Sequence, residues 1–191
     1  MLFRSGISAI ADWDIGPVTL TSVSAWRTWN WDPSNDRDFT RLSIQTASIN
    51  PDNQNQYSQE LRVASNGKQT IDYVAGLYYF RQKIDARPFA QWGAQATRWL
   101  VPQDTTIPAN LLDGYSAYGE AHSDTKSYAV FAQATWNVTE KLHLTPGMRY
   151  TYEEKFGSFA QTVSGGLAPA NANELARKNA IAAAQSYSTS F

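Results

Sequence analysis

Apolar and polar residues alternate with a period of two along much of this chain, most regularly over residues 126–155. Tyr128, Val130, Ala132, Ala134, Trp136 and Val138 share one parity; Ser127, Gln133, Thr135 and Asn137 share the other with Ala129 and Phe131. After a polar turn at residues 139–141, Leu142, Leu144, Met148, Tyr150 and Tyr152 alternate with His143, Thr145, Arg149, Thr151 and Glu153. A period of two sends successive side chains to opposite faces of a strand, so this stretch predicts a long β-hairpin. Pro146 has no N–H to donate and predicts a bulge or an interruption in the second strand.

The same alternation recurs earlier. Ile7, Ala9, Ala11, Trp13 and Ile15 oppose Ser8, Asp12 and Asp14, and Gly16-Pro17 follows as a tight turn. Tyr57, Leu61 and Val63 oppose Ser58, Glu60 and Arg62, and Asn66-Gly67-Lys68 is a short-turn signal. Residues 18–31 are β-rich but blurred, and residues 70–84 are apolar on both parities, so neither run has assigned faces. The predicted strands lie near 7–15, 18–31, 56–65, 70–84, 127–138 and 141–155. The stretches near 32–55, 85–125 and 156–191 read as long loops. Within the last, residues 171–185 have helix-favouring composition behind an Asn171 cap and predict a short helix.

Short and long connections therefore alternate. In an up-and-down meander, alternate connections lie on the same rim, so one rim is trimmed and the other carries elaborate loops. Outer-membrane barrels have this asymmetry, whereas loops of such length are uncommon in a compact soluble domain. The predicted fold is all-β: an antiparallel up-and-down meander of about six long strands, forming an open segment of a transmembrane β-barrel.

Composition narrows the function. The chain holds 7 Trp, 10 Tyr and 8 Phe but only 17% charged residues, with a net charge of −1. That charge gives no electrostatic footprint for nucleic acid. There is no cysteine, hence no disulfide framework or thiolate metal site. The longest apolar run, residues 74–80, is far short of the roughly 20 residues a membrane-spanning helix needs. The first residues lack the apolar core of an export leader, so either the protein is not exported or the sequence is a piece of a longer one. No phosphate loop, nucleophile elbow or H-E-x-x-H motif is present. Glu153 and Glu154 point to opposite strand faces and cannot act as one dyad. His122 beside Glu120 and Asp124 is too sparse a set for a metal site. No catalytic residue, metal or cofactor is expected, and the chain is not expected to be an enzyme.

Several phrases resemble the barrel of TonB-dependent receptors. These are Ser58, Glu60, Leu61 and Arg62; then Gly76, Tyr78 and Phe80; then Phe131 and Gln133 followed by Leu142, Leu144, Gly147, Arg149 and Tyr150, with Gly16 to Arg27 supporting them. The resemblance covers roughly residues 7–156 and lacks the family's plug domain and TonB-engaging box. It implies a fragment of an outer-membrane receptor of a Gram-negative bacterium, for active uptake of a siderophore, cobalamin or carbohydrate-type ligand. It also implies that the fragment is inactive alone, with outer-membrane lipid around it and with TonB and a plug as partners only in a full-length receptor. About six strands cannot close a barrel of about 22.

On this reading Val130, Trp136, Leu144 and Tyr150 face lipid. Glu60, Arg62, Gln133, Arg149 and Glu153 face the lumen. Trp92, Trp99, Tyr115 and Tyr118 in the middle loop are the candidates for ligand contact, since exposed rings stack on sugars or aromatic chelators. The alternative is a soluble all-β carbohydrate-binding module using the same exposed Trp and Tyr. A weaker third is a glycosidase with Asp12 and Asp14 as its carboxylate pair. A second sheet covering the apolar face would exclude the membrane reading.

Overall fold

Gly16, at φ 60°, turns the chain so that β1 (Leu2–Ile15) folds back onto β2 (Val18–Trp31) in an unbroken register from Ile15↔Val18 to Leu2↔Trp31. A positive φ at this position is strained for residues with a Cβ. In the computed structural model, which describes residues 2–67 and 69–190, the chain continues through β3 (Ser34–Asn35), β4 (Gln45–Ile49), β5 (Asp52–Ser65), β6 (Ile71–Ala86) and β7 (Phe89–Trp92). Helix α1 (Ala96–Leu100), strands β8 (Ser116–Asn137), β9 (His143–Leu144) and β10 (Gly147–Ser164), helix α2 (Ala172–Gln185) and β11 (Tyr187–Ser190) follow. Lys68, in the predicted Asn66-Gly67-Lys68 turn, lies outside the described residues, as do Met1 and Phe191. All strands join one antiparallel sheet, and its six long strands run in the order β1-β2-β5-β6-β8-β10. Among the described residues no second sheet covers either face.

The register settles every face, because paired residues share one. Leu20 pairs with Val63, Val63 with Ala75 and Ala75 with Ala132, while Leu77 pairs with Leu61 and Val130. The apolar face thus runs from Ile7 and Trp13 through Leu20, Trp26, Leu61, Tyr73 and Leu77 to Val130, Trp136, Met148 and Tyr150. All these side chains are exposed: Ile7 at 72%, Leu77 at 60%, Met148 at 75%. Monomeric soluble proteins rarely expose one contiguous apolar patch on this scale. Tyr79, Tyr128 and Tyr152 are paired in one row, and Tyr57 stands 6.1 Å from Tyr79 between ring centroids. Toward the other rim lie Trp13, Tyr73 and Trp136. From Tyr128 to Trp136 is about 26 Å of strand at ~3.3 Å per residue. At a barrel tilt of about 40° that is roughly 20 Å of height, on the scale of the ~25 Å apolar band of outer-membrane barrels.

The loop expectations need correction. Residues 32–55 contain β3, β4 and the start of β5. Residues 85–125 contain β7, α1 and the first turns of β8, and β10 runs on to Ser164. The reason is a row of prolines. Pro33, Pro51 and Pro88 each sit where one strand ends and the next begins: across Pro88 both β6 and β7 pair with β8, whereas across Pro33 and Pro51 the β2–β5 pair gives way to the β3–β4 pair. Each carbonyl still accepts a cross-strand bond: Asn50 N donates to Pro33 O (3.2 Å), Arg87 N to Pro51 O (3.1 Å) and Gly119 N to Pro88 O (2.8 Å). Proline removes only the donor, so the sheet bends there without ending. A Cβ on Gly119 would lie 2.6 Å from Pro88 Cγ, so glycine is what lets β8 pass the bend. At the opposite rim, β9 and β10 are separated by Thr145 and Pro146, whose carbonyl accepts from Ala134 N at 3.0 Å.

The buried core is not between layers. It lies in the connections above the proline row, where Ala96, Leu112 and Tyr115 are 0–1% exposed, with Trp92, Val163 and Ile181 packed around them.

Candidate functional site

The polar face is the first part of the site. Glu60, Arg62, Gln133, Arg149 and Glu153 all lie on it, since Arg62 pairs with Gly76, Gly76 with Phe131 and Phe131 with Arg149. Glu60 pairs with Tyr78, and Glu153 with Ser127. Arg62 Nη1 is 3.6 Å from Glu60 Oε1 two residues away on the same face. The Arg149 guanidinium carbon is 5.5 Å from the Tyr78 ring centroid and 5.9 Å from that of Phe131, within cation–π range. This stack depends on Gly76: a Cβ there would meet Phe131 Cζ at 2.5 Å and Leu61 O at 2.8 Å. Asp12 and Asp14 are on the same face, each accepting a hydroxyl bond of 2.6 Å, from Thr21 and Thr19 respectively.

Near the proline row the polar face holds a cleft of about 510 Å³ lined by Arg4, Arg27, Trp29, Gln54 and Gln56. The Arg4 guanidinium lies 5.1 Å from the Trp29 ring centroid, and the indole N–H of Trp29 is buried with no hydrogen-bond partner among the described residues. The sequence reading missed these residues because residues 18–31 alternate poorly. The signal was in the neighbouring strand: a tight turn at Gly16 pairs Trp26 with Ile7 and so sends Trp29 to the opposite face.

The connections above the proline row form the second part, a cap. Trp92 N donates to Tyr115 O at 2.8 Å and Gly114 N to Trp92 O at 2.9 Å, and the Trp92 and Tyr115 rings stand 5.7 Å apart. Leu112 N donates to the buried Thr97 hydroxyl at 3.0 Å. Asn171 caps α2: its Oδ1 accepts from Glu174 N at 3.0 Å, and Glu174 Oε2 accepts from Ala170 N at 2.8 Å, a reciprocal capping arrangement. Arg177 on α2 donates to Asp104, and Asn173 to Thr106. The Thr106 hydroxyl and then the Arg177 guanidinium hold the Asp104 carboxyl below its usual range. Asp38 is held low in the same way, chiefly by Gln45 N–H and the Thr40 hydroxyl, and so organises the turn before β4.

The four middle-loop aromatics do not converge. Tyr115 is 1% exposed, in the cap core against Trp92, and burial pushes its hydroxyl pKa up; its expected surface position is corrected. Trp99 on α1 is 68% exposed. Tyr118 is in β8 on the parity of Tyr128, facing away from the polar face, with its ring 5.1 Å from Phe89. The open alternation of the hairpin gave no sign that residue 118 already belonged to its first strand.

A family described as TonB dependent receptor-like, beta-barrel, matches residues 5–188. No curated protein matches the chain. Among solved structures, the crystal structure of the ferric yersiniabactin uptake receptor FyuA from Yersinia pestis is similar, with a TM-score of 0.64 at 18% identity. The match covers 85% of this chain and 22% of that receptor, so this chain spans about a fifth of it. At this identity the likeness speaks for the fold: an open run of barrel strands. With the family match spanning nearly all the residues, the chain belongs to the TonB-dependent receptor-like β-barrel family.

Proposed function

We propose that this chain forms one sector of the outer-membrane barrel of an active-uptake receptor, in a Gram-negative bacterium, for a small iron-chelate ligand. In the whole receptor a plug fills the barrel and TonB supplies the energy. The observation that carries the reading is the exposed apolar face across six long strands, banded by aromatic rows and backed by a polar face. A soluble carbohydrate-binding module would leave that face wet, at a cost of about 25 cal/mol for each Å².

The ligand class rests on two supports. FyuA is an uptake receptor for ferric yersiniabactin. Arg4 and Arg27 offer cations and Trp29 a ring to an anionic aromatic chelate. Glu60, Arg62, Gln133, Arg149 and Glu153 line the lumen beneath, and Trp99 is an exposed ring of the cap.

The membrane reading is tested by refolding the chain into zwitterionic detergent and into lipid vesicles. Strand-rich circular dichroism and protease-protected strands are expected in both, with aggregation in plain buffer. A soluble, cooperatively melting monomer in buffer overturns it. Titration with a ferric phenolate chelate should quench tryptophan fluorescence in the wild type and much less in Trp29→Phe. Equal quenching in both moves the ligand away from this cleft.

A further inference from the structure

Above the proline row the polar face carries a second cleft. The register there runs in one row, with Asn35 beside Ser48, Ser48 beside Ala90 and Ala90 beside Ala117. Ala117 shares the parity of Thr125 and Gln133 on β8, so the row lies on the polar face. Small side chains along it leave its floor low, and the space above is about 620 Å³. Trp31 edges the space from the end of β2, and Arg37 and Phe39 reach it from the turn between β3 and β4. Among the described residues no carboxylate lines this cleft, and Arg37 is its one charged group. Arg37 has no carboxylate within ion-pair distance among the described residues.

Phe39 is presented to the cleft by its backbone. It is 80% exposed and holds φ 52°. A phenylalanine in the left-handed region is strained, so the surrounding structure must hold it there. Asp38 does so: its Oδ1 accepts from Thr40 N at 2.9 Å and from the Thr40 hydroxyl at 2.8 Å, and its Oδ2 accepts from Gln45 N at 2.8 Å. The far end of the turn is tied to the start of α1, where Gln95 N donates to Ser43 O at 2.9 Å and Ser43 N donates to the Gln95 side chain. The fold gains nothing from a large ring held in water on a strained turn. The Trp31 ring stands 6.1 Å from that of Trp29 with the planes 17° apart, so the two indoles make one strip from the cleft of Arg4 and Arg27 to this one.

We propose that the cleft of Trp31, Arg37 and Phe39 is a second binding site, for an anionic aryl group. The ring of that group packs on Trp31 and Phe39, and its anionic oxygens take the Arg37 guanidinium. Charge complementarity selects this occupant, since the cleft offers one unpaired cation, two exposed rings and no carboxylate among the described residues. The inference rests on the reading of the polar face as the ligand's side, and it adds a contact point above the bend, separate from the cleft of Trp29.

Paramagnetic broadening distinguishes the two clefts. The isotope-labelled chain, refolded in zwitterionic detergent, is titrated with ferric salicylate, and gallium salicylate is the diamagnetic reference. Amide signals of residues 35–39, 48 and 90 report the upper cleft, and those of residues 4–6, 27–29 and 54–56 the lower. Both sets are expected to broaden. Arg37→Gln should weaken the upper response roughly tenfold, the worth of a charge-assisted hydrogen bond, and leave the lower response unchanged. Phe39→Gly should weaken it about fivefold while the turn keeps its signals, because glycine suits the positive φ; Phe39→Tyr should retain it. Arg41→Gln, the same charge change on the same turn but outside the cleft, should lose nothing. Upper signals that stay sharp while the lower ones broaden sink this site alone. Upper broadening that survives both Arg37→Gln and Phe39→Gly, or that falls equally in Arg41→Gln, overturns the assignment. Uncharged maltotriose displacing the chelate at equal concentration overturns the anion as the occupant. If neither set broadens, the ligand class proposed above falls and takes this site with it.

Discussion

The wall below the proline row and the cap above it solve burial in opposite ways. The wall has long strands with complete ladders, yet Ile7, Trp13, Leu77, Met148 and Tyr150 are all more than half exposed. The cap has short elements and irregular backbone, yet it holds nearly all of the fully buried side chains, Tyr115, Leu111, Leu112 and Thr97 among them. The cap meets water and must close its own core. On the membrane reading proposed above, the wall meets lipid as apolar as its side chains and needs none. The same sheet therefore passes between two environments, and the change of rule falls at Pro33, Pro51 and Pro88.

This contrast can be broken from either side. Leu112→Ala should cost the cap about 2–5 kcal/mol through an unfilled cavity. Hydrogen exchange should then rise across residues 89–115 and α2, leaving β5 and β6 below the proline row unchanged. Leu77→Arg should cost the wall about 2–4 kcal/mol in a bilayer, where the side chain lies mid-band; the same change should be nearly silent in cap exchange. A loss of wall stability from Leu112→Ala equal to that of the cap would mean that the two are one cooperative unit.

Two smaller effects sharpen the comparison. Gly76→Val should displace the Phe131 ring and unseat Arg149, costing about 1–3 kcal/mol as an overpacking change, read from detergent-folded melting against Gly119→Val, which strikes the bend at Pro88 instead. The Asp104–Arg177 link gives a pH signature for the cap alone. A carboxyl held below its unfolded value contributes stability that is present above that value, about 3.9, and is lost as pH falls through the folded value. Protease sensitivity of the α2 connection should therefore rise as the pH drops below about 4, and in Asp104→Asn it should be raised already at neutral pH and flat with acid.

The sequence showed the wall far better than the cap, for a physical reason. In the hairpin of β8 and β10, one face is uniformly apolar and exposed, so Val130, Ala132, Met148 and Tyr150 alternate cleanly. Residues 70–84 did not alternate because β6 also carries Tyr78 and Phe80 on its polar face, where Arg149 covers Tyr78. Only pairing with Leu61 and Val130 fixes that strand. The upper part of β8, Ser116 to Thr125, carries small residues on one parity and polar ones with Tyr118 on the other, because one side faces the cap and the other lies beyond the tyrosine row. The apolar–polar contrast vanishes there although the strand persists. Prolines read as loop signals because their lost donor is local information, while their retained carbonyl bond is a matter of register. The candidate site divides the same way. The polar-face residues followed from alternation, whereas the fate of Tyr115 depended on tertiary packing that Trp92 and Leu112 complete.

The proline row also has a consequence for how such a sheet can diversify. The strands interrupted at Pro33, Pro51 and Pro88 restart their pairing on the far side while β8 and β10 run through, so an insertion between Pro33 and Pro51, or between Pro88 and Gly119, need not shift the partners of Leu20, Leu61 or Leu77 below. Length can accumulate above the crease while the staves beneath keep their stagger. A graft that exchanges residues 33–51 for a segment of another length should therefore leave the wall's spectrum and heat-modifiable migration intact, and the crease then serves as a natural splice line for building receptors with new caps on an old wall.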